Sequence, residues 1–158
     1  MDRIVPRSEL QSLGESLRAA GRRIVFTNGC FDLLHVGHLR YLEQARALGD
    51  VLVVGLNTDA SVRRLKGPTR PLVPEIERAE LLAGLRCVDY VTLFDEPLPN
   101  ETLGALRPHY HVKGGDYNAE SLPETPLVRS LGGEVVIMPL VAGRSTTNVV
   151  QRILETER

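Results

Sequence analysis

Short apolar runs alternate with helix-spaced segments along most of this 158-residue chain, and no other feature of the sequence limits its fold as tightly. Arg23-Ile24-Val25-Phe26, Val51 to Leu56, Tyr90 to Phe94, Tyr110 to Val112 and Glu134 to Met138 read as strands. Between or after them, apolar residues recur at helical spacing: Leu39, Leu42 and Ala45; a short stretch from Asp59; Ala79, Leu81, Leu82 and Leu85 near 74–85; and segments near 100–106, 124–131 and 146–156. Strands separated by helical crossovers pair in parallel, and right-handed crossovers leave few topologies. Such a sheet must be covered on both faces. The expected fold is α/β: a Rossmann-like, doubly wound, five-stranded parallel sheet. Ahead of it, Ser8-Glu9-Leu10-Gln11 has the form of a capping box, and Leu10, Leu13, Leu17 and Ala20 repeat until Gly21, which predicts an added N-terminal helix. One domain over 1–158 is expected, with that helical extension over 1–22 and the core over 23–158.

Charge and cysteine content narrow the function classes. A formal net charge of −1 argues against sequence-independent nucleic-acid binding, which depends on neutralising many phosphates. No apolar run approaches the roughly 20 residues that span a membrane, and no secretory signal is visible. The two cysteines, Cys30 and Cys87, make no disulfide framework, so a reducing cytoplasm is the expected location. Cys30 has no histidine arrangement that would mark it as a nucleophile and reads as a small packing residue.

In open α/β sheets the ligand sits beyond the carboxyl ends of the strands, where strand order reverses. Each conspicuous polar segment of this chain follows a strand. After the first comes Thr27-Asn28-Gly29-Cys30-Phe31-Asp32-Leu33-Leu34-His35-Val36-Gly37-His38, in which the two histidines enter a helix on one face. A helix start offers unpaired N–H groups to an anion, and Gly29 and Gly37 leave room for close approach. Asn57-Thr58-Asp59 follows the second strand, Lys113-Gly114-Gly115-Asp116 the fourth and Gly143-Arg144-Ser145-Thr146-Thr147-Asn148 the fifth. Lys66 stands in a basic, loop-like region with Arg63, Arg64 and Arg70, from which it would reach distal phosphates if the loop folds over the site. Plainer readings exist for each. The histidines could be half of a zinc site with Asp32, although no Cys or His cluster elsewhere has ligand spacing, or His35 could cap its helix while His38 is hydrogen-bonded in the core. A hydroxyl among Ser145 to Thr147 could simply cap the last helix, and the double glycine could be a turn. Convergence on one sheet edge favours a nucleotide phosphate.

The ordered set of the Thr27-to-His38 motif, Asn57-x-Asp59, Lys66-Gly67, Val112-Lys113-Gly114-Gly115-Asp116-Tyr117 and Ser145-Thr146-Thr147-Asn148 resembles the cytidylyltransferase-like nucleotidyltransferase superfamily, over about 23–153. The His-x-Gly-His element belongs to the whole superfamily. The Lys113-to-Tyr117 segment and the Ser145-to-Asn148 ending are similar to its heptose 1-phosphate adenylyltransferase branch. Glycerol-phosphate cytidylyltransferases carry an arginine five places before that serine, where this chain has Leu140. The resemblance implies transfer of an adenylyl group from ATP to D-glycero-β-D-manno-heptose 1-phosphate, with Mg2+ bound through the triphosphate and no metal ligand from the protein. His35, His38 and Lys66 would be catalytic. Thr27, Asn28, Gly29, Phe31, Gly37, Ser145, Thr146 and Thr147 would bind the nucleotide, and Asp32, Asn57, Lys113, Gly114 and Asp116 the sugar phosphate. It further implies a free-standing cytoplasmic enzyme, a homo-oligomer (dimer), that receives its substrate from separate proteins and has no nucleic-acid or membrane partner. A cytidylyltransferase for glycerol 3-phosphate or a related small phosphorylated alcohol or sugar stays open as an alternative, as does a non-catalytic nucleotide-binding module.

Overall fold

The structure, a computed structural model, describes residues 2–140 and 145–157. Strands β1 (Ile24–Gly29), β2 (Val51–Asn57), β3 (Tyr90–Phe94), β4 (Tyr110–Gly114) and β5 (Glu134–Met138) form one parallel sheet in the order β3-β2-β1-β4-β5. This is the doubly wound five-stranded sheet that the alternation predicts. The helices between them are α2 (Val36–Arg46), α3 (Asp59–Lys66), α4 (Glu75–Ala83), α5 (Asn100–Leu106) and α6 (Thr125–Ser130), and α7 (Thr146–Thr156) follows β5.

Successive residues of β1 and β2 point to opposite faces, and each face has its own core. Val25, Leu52 and Val54 pack with Leu42, Ala45 and Leu82 on one side. Ile24, Phe26, Val51 and Val53 pack with Leu10, Leu103, Leu106 and Val128 on the other. Both central strands are buried on both faces, which is why they read as unbroken apolar runs rather than as alternating ones. Each fully buried Leu, Ile or Phe side chain contributes about 1.5–3 kcal/mol relative to exposure.

Two strands run further than periodicity suggests. β1 continues to Gly29 and β4 to Gly114, because the parallel ladder uses backbone groups and tolerates polar residues: Asn28 pairs with Gly55 and Gly29 with Leu56. The N-terminal helix, α1 (Arg7–Ala19), also differs from expectation. It starts at Arg7 with Pro6 as N-cap and no side-chain cap, so Ser8 lies inside the first turn and makes no capping box. The cause is upstream: Val5 N–H donates to Val91 O at 2.8 Å and Val91 N–H to Arg3 O at 2.8 Å, which lays residues 3–5 along the edge of β3 before the chain turns at Pro6. α1 then packs on α5, where Arg18 donates to Leu106 O at 2.6 Å. No helix of the described residues is long and apolar enough to cross a membrane.

Candidate active site at the switch point of the sheet

From β1 the chain moves outward through β2 to β3, then returns to place β4 on the other side of β1. The crossovers on the two sides diverge there, leaving a crevice beyond the carboxyl ends of β1 and β4. An open cleft of about 420 Å³ occupies it.

The histidines enter the cleft from the start of α2. His35 is the N-cap: its Nδ1 accepts the Gly37 N–H at 3.1 Å, and Nδ1 of His38 accepts the His35 N–H at 3.3 Å. The capping reading and the ligand reading are therefore compatible. With Nδ1 accepting, a neutral ring carries its proton on Nε2, so each imidazole can present an N–H donor. The two rings lie 4.0 Å apart. Burial, then the neighbouring His35 and Lys66, push His38 down to about 4, so it is a neutral donor at physiological pH. Phe31 holds it from behind, ring centroids 5.4 Å apart. Phe31 itself sits at φ 43, a left-handed conformation that costs a non-glycine residue and places its ring in the core beside the cleft.

Asp32 lines the cleft, but its carboxylate is committed to the loop after α3. It accepts the Leu72 N–H at 2.8 Å and the Val73 N–H at 2.9 Å, with Arg70 3.9 Å away. That bond folds the 66–74 segment over the site, so Lys66 lines the main cleft and Lys66, Arg70, Thr146 and Thr147 share an adjoining recess with Asp32. Arg78, 1% exposed, fixes the same region from beneath. It donates to Val73 O at 2.8 Å, Cys30 O at 2.6 Å and Asn57 O at 2.9 Å, and pairs with Asp59 at 2.7 Å.

The opposite wall is β4. Gly114 faces Tyr41 and Leu140, where a Cβ would come within 3.0 and 2.7 Å, and Gly115 turns the chain at φ +121. Lys113 lines the cleft beside Tyr117. The third side is the start of α7: Ser145 caps it by accepting the Asn148 N–H at 3.0 Å, and Thr146 donates to Leu33 O at 3.0 Å. Two helix N-termini thus face one space with three cationic side chains, Lys66, Arg70 and Lys113. The arrangement suits a polyanion.

Of the residues expected at the ligand, Asn28, Gly29, Phe31, Asp32, His35, Gly37, His38, Lys66, Lys113, Gly114, Ser145, Thr146 and Thr147 line the cleft. Thr27, Asn57 and Asp116 do not. Thr27 is fully buried and bonded to Tyr41 and Val112; Asn57, 4% exposed, donates to Ser61 at 2.9 Å; Asp116 points to solvent. Gly143 and Arg144 lie outside the described residues. Arg64 pairs with Asp95 on the surface at 2.9 Å. Sequence reasoning overlooked Tyr41, Tyr117 and Leu140 as lining and Arg70 in the recess. Tyr117 and Leu140 stand inside quoted segments, whereas nothing local distinguishes Tyr41 from a helix core residue. Cys30 also lines the cleft, and burial raises its thiol pKa, which disfavours the thiolate.

The profile of the Cytidylyltransferase-like family matches residues 26–152. The bifunctional protein HldE of Syntrophotalea carbinolica is 58% identical over 149 residues, which are 94% of this chain and 30% of that protein. HldE of Pelobacter propionicus is 56% identical over 153 residues, 97% of this chain and 31% of the relative. The chain therefore spans about a third of the length of these relatives. Among solved structures, the lipopolysaccharide core biosynthesis protein from Thermoplasma volcanium superposes with a TM-score of 0.62 at 32% identity, covering 77% of this chain and 98% of the other.

Proposed function

The chain belongs to the cytidylyltransferase-like family and is a nucleotidyltransferase, and on that premise we propose that it transfers an adenylyl group from ATP to D-glycero-β-D-manno-heptose 1-phosphate, releasing pyrophosphate and forming ADP-heptose. The observation that carries this reading is the likeness to HldE over almost the whole chain, and His35, His38, Lys66, Lys113 and Ser145 to Thr147 lining one cleft support it. An oxygen of the sugar phosphate attacks the α-phosphorus in line; the new P–O bond forms as the bond to the β-phosphate oxygen breaks and pyrophosphate departs. The attacking phosphate is already anionic, so no general base is required. What the site supplies is position and charge stabilisation.

His38 and His35, fixed as Nε2–H donors by backbone bonds to their Nδ1 atoms, hydrogen-bond oxygens of the α- and β-phosphates as charge shifts onto the leaving group. The first amides of α2 and α7 add partial positive charge. Lys66, at the end of α3, and Arg70, on the loop anchored by Asp32, neutralise the departing pyrophosphate, and Lys113 on the opposite wall meets the acceptor phosphate. Asp32 is engaged by Leu72 and Val73, and in this reading a divalent ion arrives on the triphosphate. Mg2+ carried in that way would neutralise phosphate charge.

A pyrophosphate-release panel crossing ATP and CTP with heptose 1-phosphate, mannose 1-phosphate and glycerol 3-phosphate tests the reading. ATP with the β-anomer of the heptose phosphate is expected to be the best pair, by about 10⁴-fold over glycerol 3-phosphate if pocket groups are left unpaired by the smaller acceptor. CTP with glycerol 3-phosphate as the best pair would overturn the substrate assignment. No release from any pair would overturn the activity.

A further inference from the structure

We propose that Glu124 is a positioning residue for Lys113: a buried carboxylate that holds the lysine ammonium at the β4 wall of the cleft, ready for the acceptor phosphate. The identity of that phosphate rests on the adenylyl-transfer reading; the pair itself rests on the geometry below.

Glu124 is the N-cap residue of α6, and its side chain accepts none of the first N–H groups of that helix. It turns inward. Its side chain is 1% exposed, with Oε1 3.4 Å from Nε2 of His111 and 3.6 Å from Nζ of Lys113. His111 is fully buried, stacks on Phe26 at 5.6 Å between centroids, and has no partner at Nδ1. A carboxylate only accepts hydrogen bonds, so in its contact with ionised Glu124 the Nε2 of His111 is the donor. That hydrogen bond, with help from Lys113, holds the Glu124 carboxyl down at about 2 despite its burial. The carboxylate is thus charged at neutral pH and reaches from the core to the cleft.

Burying an ionised acid is costly, and an apolar side chain would fill the space at lower cost. The charge makes sense through the cation it faces. A lysine has four rotatable bonds, and an unrestrained ammonium loses that freedom when it binds an anion. Here Glu124 restrains Nζ from below and the Tyr117 ring lies 5.8 Å away on another side. Lys66 and Arg70 share a separate recess with Asp32, which lies 3.9 Å from Arg70. The two cationic groups are therefore positioned separately, one per substrate.

The test is a double-mutant cycle on Glu124→Gln and Lys113→Met, with Glu124→Asp as the charge-conserving control and melting temperatures recorded for all variants. The acceptor is whichever of the heptose and glycerol phosphates the wild type uses, so a failed heptose assignment changes the acceptor and leaves the cycle intact. Glu124→Gln should raise KM for the acceptor phosphate about tenfold, with the KM for ATP and kcat moving far less. Glu124→Asp should keep the acceptor KM within about threefold of wild type. In the Lys113→Met background, adding Glu124→Gln should raise the acceptor KM no further, which a merely structural role would not reproduce. The proposal is overturned if Glu124→Gln leaves or lowers the acceptor KM, if it raises the KM for ATP equally, if its effect persists without Lys113, or if no acceptor supports turnover.

Discussion

The two walls of the cleft are held in place by different physics. On the α2 wall, His35 and His38 are oriented by backbone N–H groups of the helix start itself, so these imidazoles are as fixed as the helix. On the β4 wall, Lys113 is oriented by a buried carboxylate that must stay ionised, with His111 behind it. The first device is local in sequence; the second joins residues eleven and thirteen apart through tertiary packing. Backbone-held groups act at a single developing charge, while an ion-paired lysine can move with its ligand. The walls should therefore fail in different ways.

The largest difference lies in which kinetic constant is lost. His38→Ala, and separately His35→Ala, should lower kcat by roughly 10²–10³-fold, because each removes a donor that matters most as charge develops. Lys113→Met should instead raise the acceptor KM by about one to two orders of magnitude and spare kcat by comparison. Steady-state kinetics with both substrates varied separates the two patterns. Equal losses in kcat from both walls would erase the distinction.

Between the walls and the core stands Arg78, whose guanidinium serves three carbonyls and Asp59. Arg78→Met should destabilise the fold by about 3–5 kcal/mol in urea unfolding, since it strands buried acceptors from the β1 loop and the 66–74 loop together. A loss below about 1 kcal/mol would show that these carbonyls find other donors.

Much of the α2 wall was legible in advance. The alternation of apolar runs and helical segments predicts the sheet, and His35, Gly37 and His38 lie together because a helix turn brings them together. The β4 wall was legible only in part. Lys113 and Gly114 announce themselves after an apolar run, but Glu124 reads as an ordinary helix-start acid, and only folding brings it under Lys113. Asp32 and Arg78 show the same limit: their partners are 40 to 48 residues away, at Leu72 and Cys30, beyond the reach of any periodic pattern. Thr27 and Asn57 stay out of the cleft lining for the opposite reason. They occupy strand positions in the motif segments, but neighbouring Tyr41 and Ser61 take their polar groups into the interior.

Acid separates the walls more gently. His38 is lowered from 6.5 to about 4 in the folded protein, so the unfolded chain binds its proton first and the stability contribution falls as pH drops from about 6.5 through 4. Protonation at Nδ1 also breaks its bond from the His35 N–H. Glu124 is lowered from 4.5 to about 2, so its contribution is complete above 4.5 and is lost as pH falls through 2. Melting curves between pH 7 and 2 should show His38→Ala flattening the upper window and Glu124→Gln the lower one. The smallest effect belongs to the exposed pair of Arg64, on α3, with Asp95, after β3, neither of which lines the cleft: Arg64→Ala should leave kinetics unchanged within experimental error.

In the proposed mechanism the cleft positions two substrates for one direct displacement and contributes no nucleophile of its own. The stereochemical course at phosphorus tests it most directly. With ATP chirally labelled by sulfur at the α-phosphate and the acceptor phosphate present, the nucleotide-sugar product should show inverted configuration, and the protein incubated with ATP alone should carry no adenylate. Net retention, or an adenylylated side chain trapped without acceptor, would mean two displacements and contradict the mechanism.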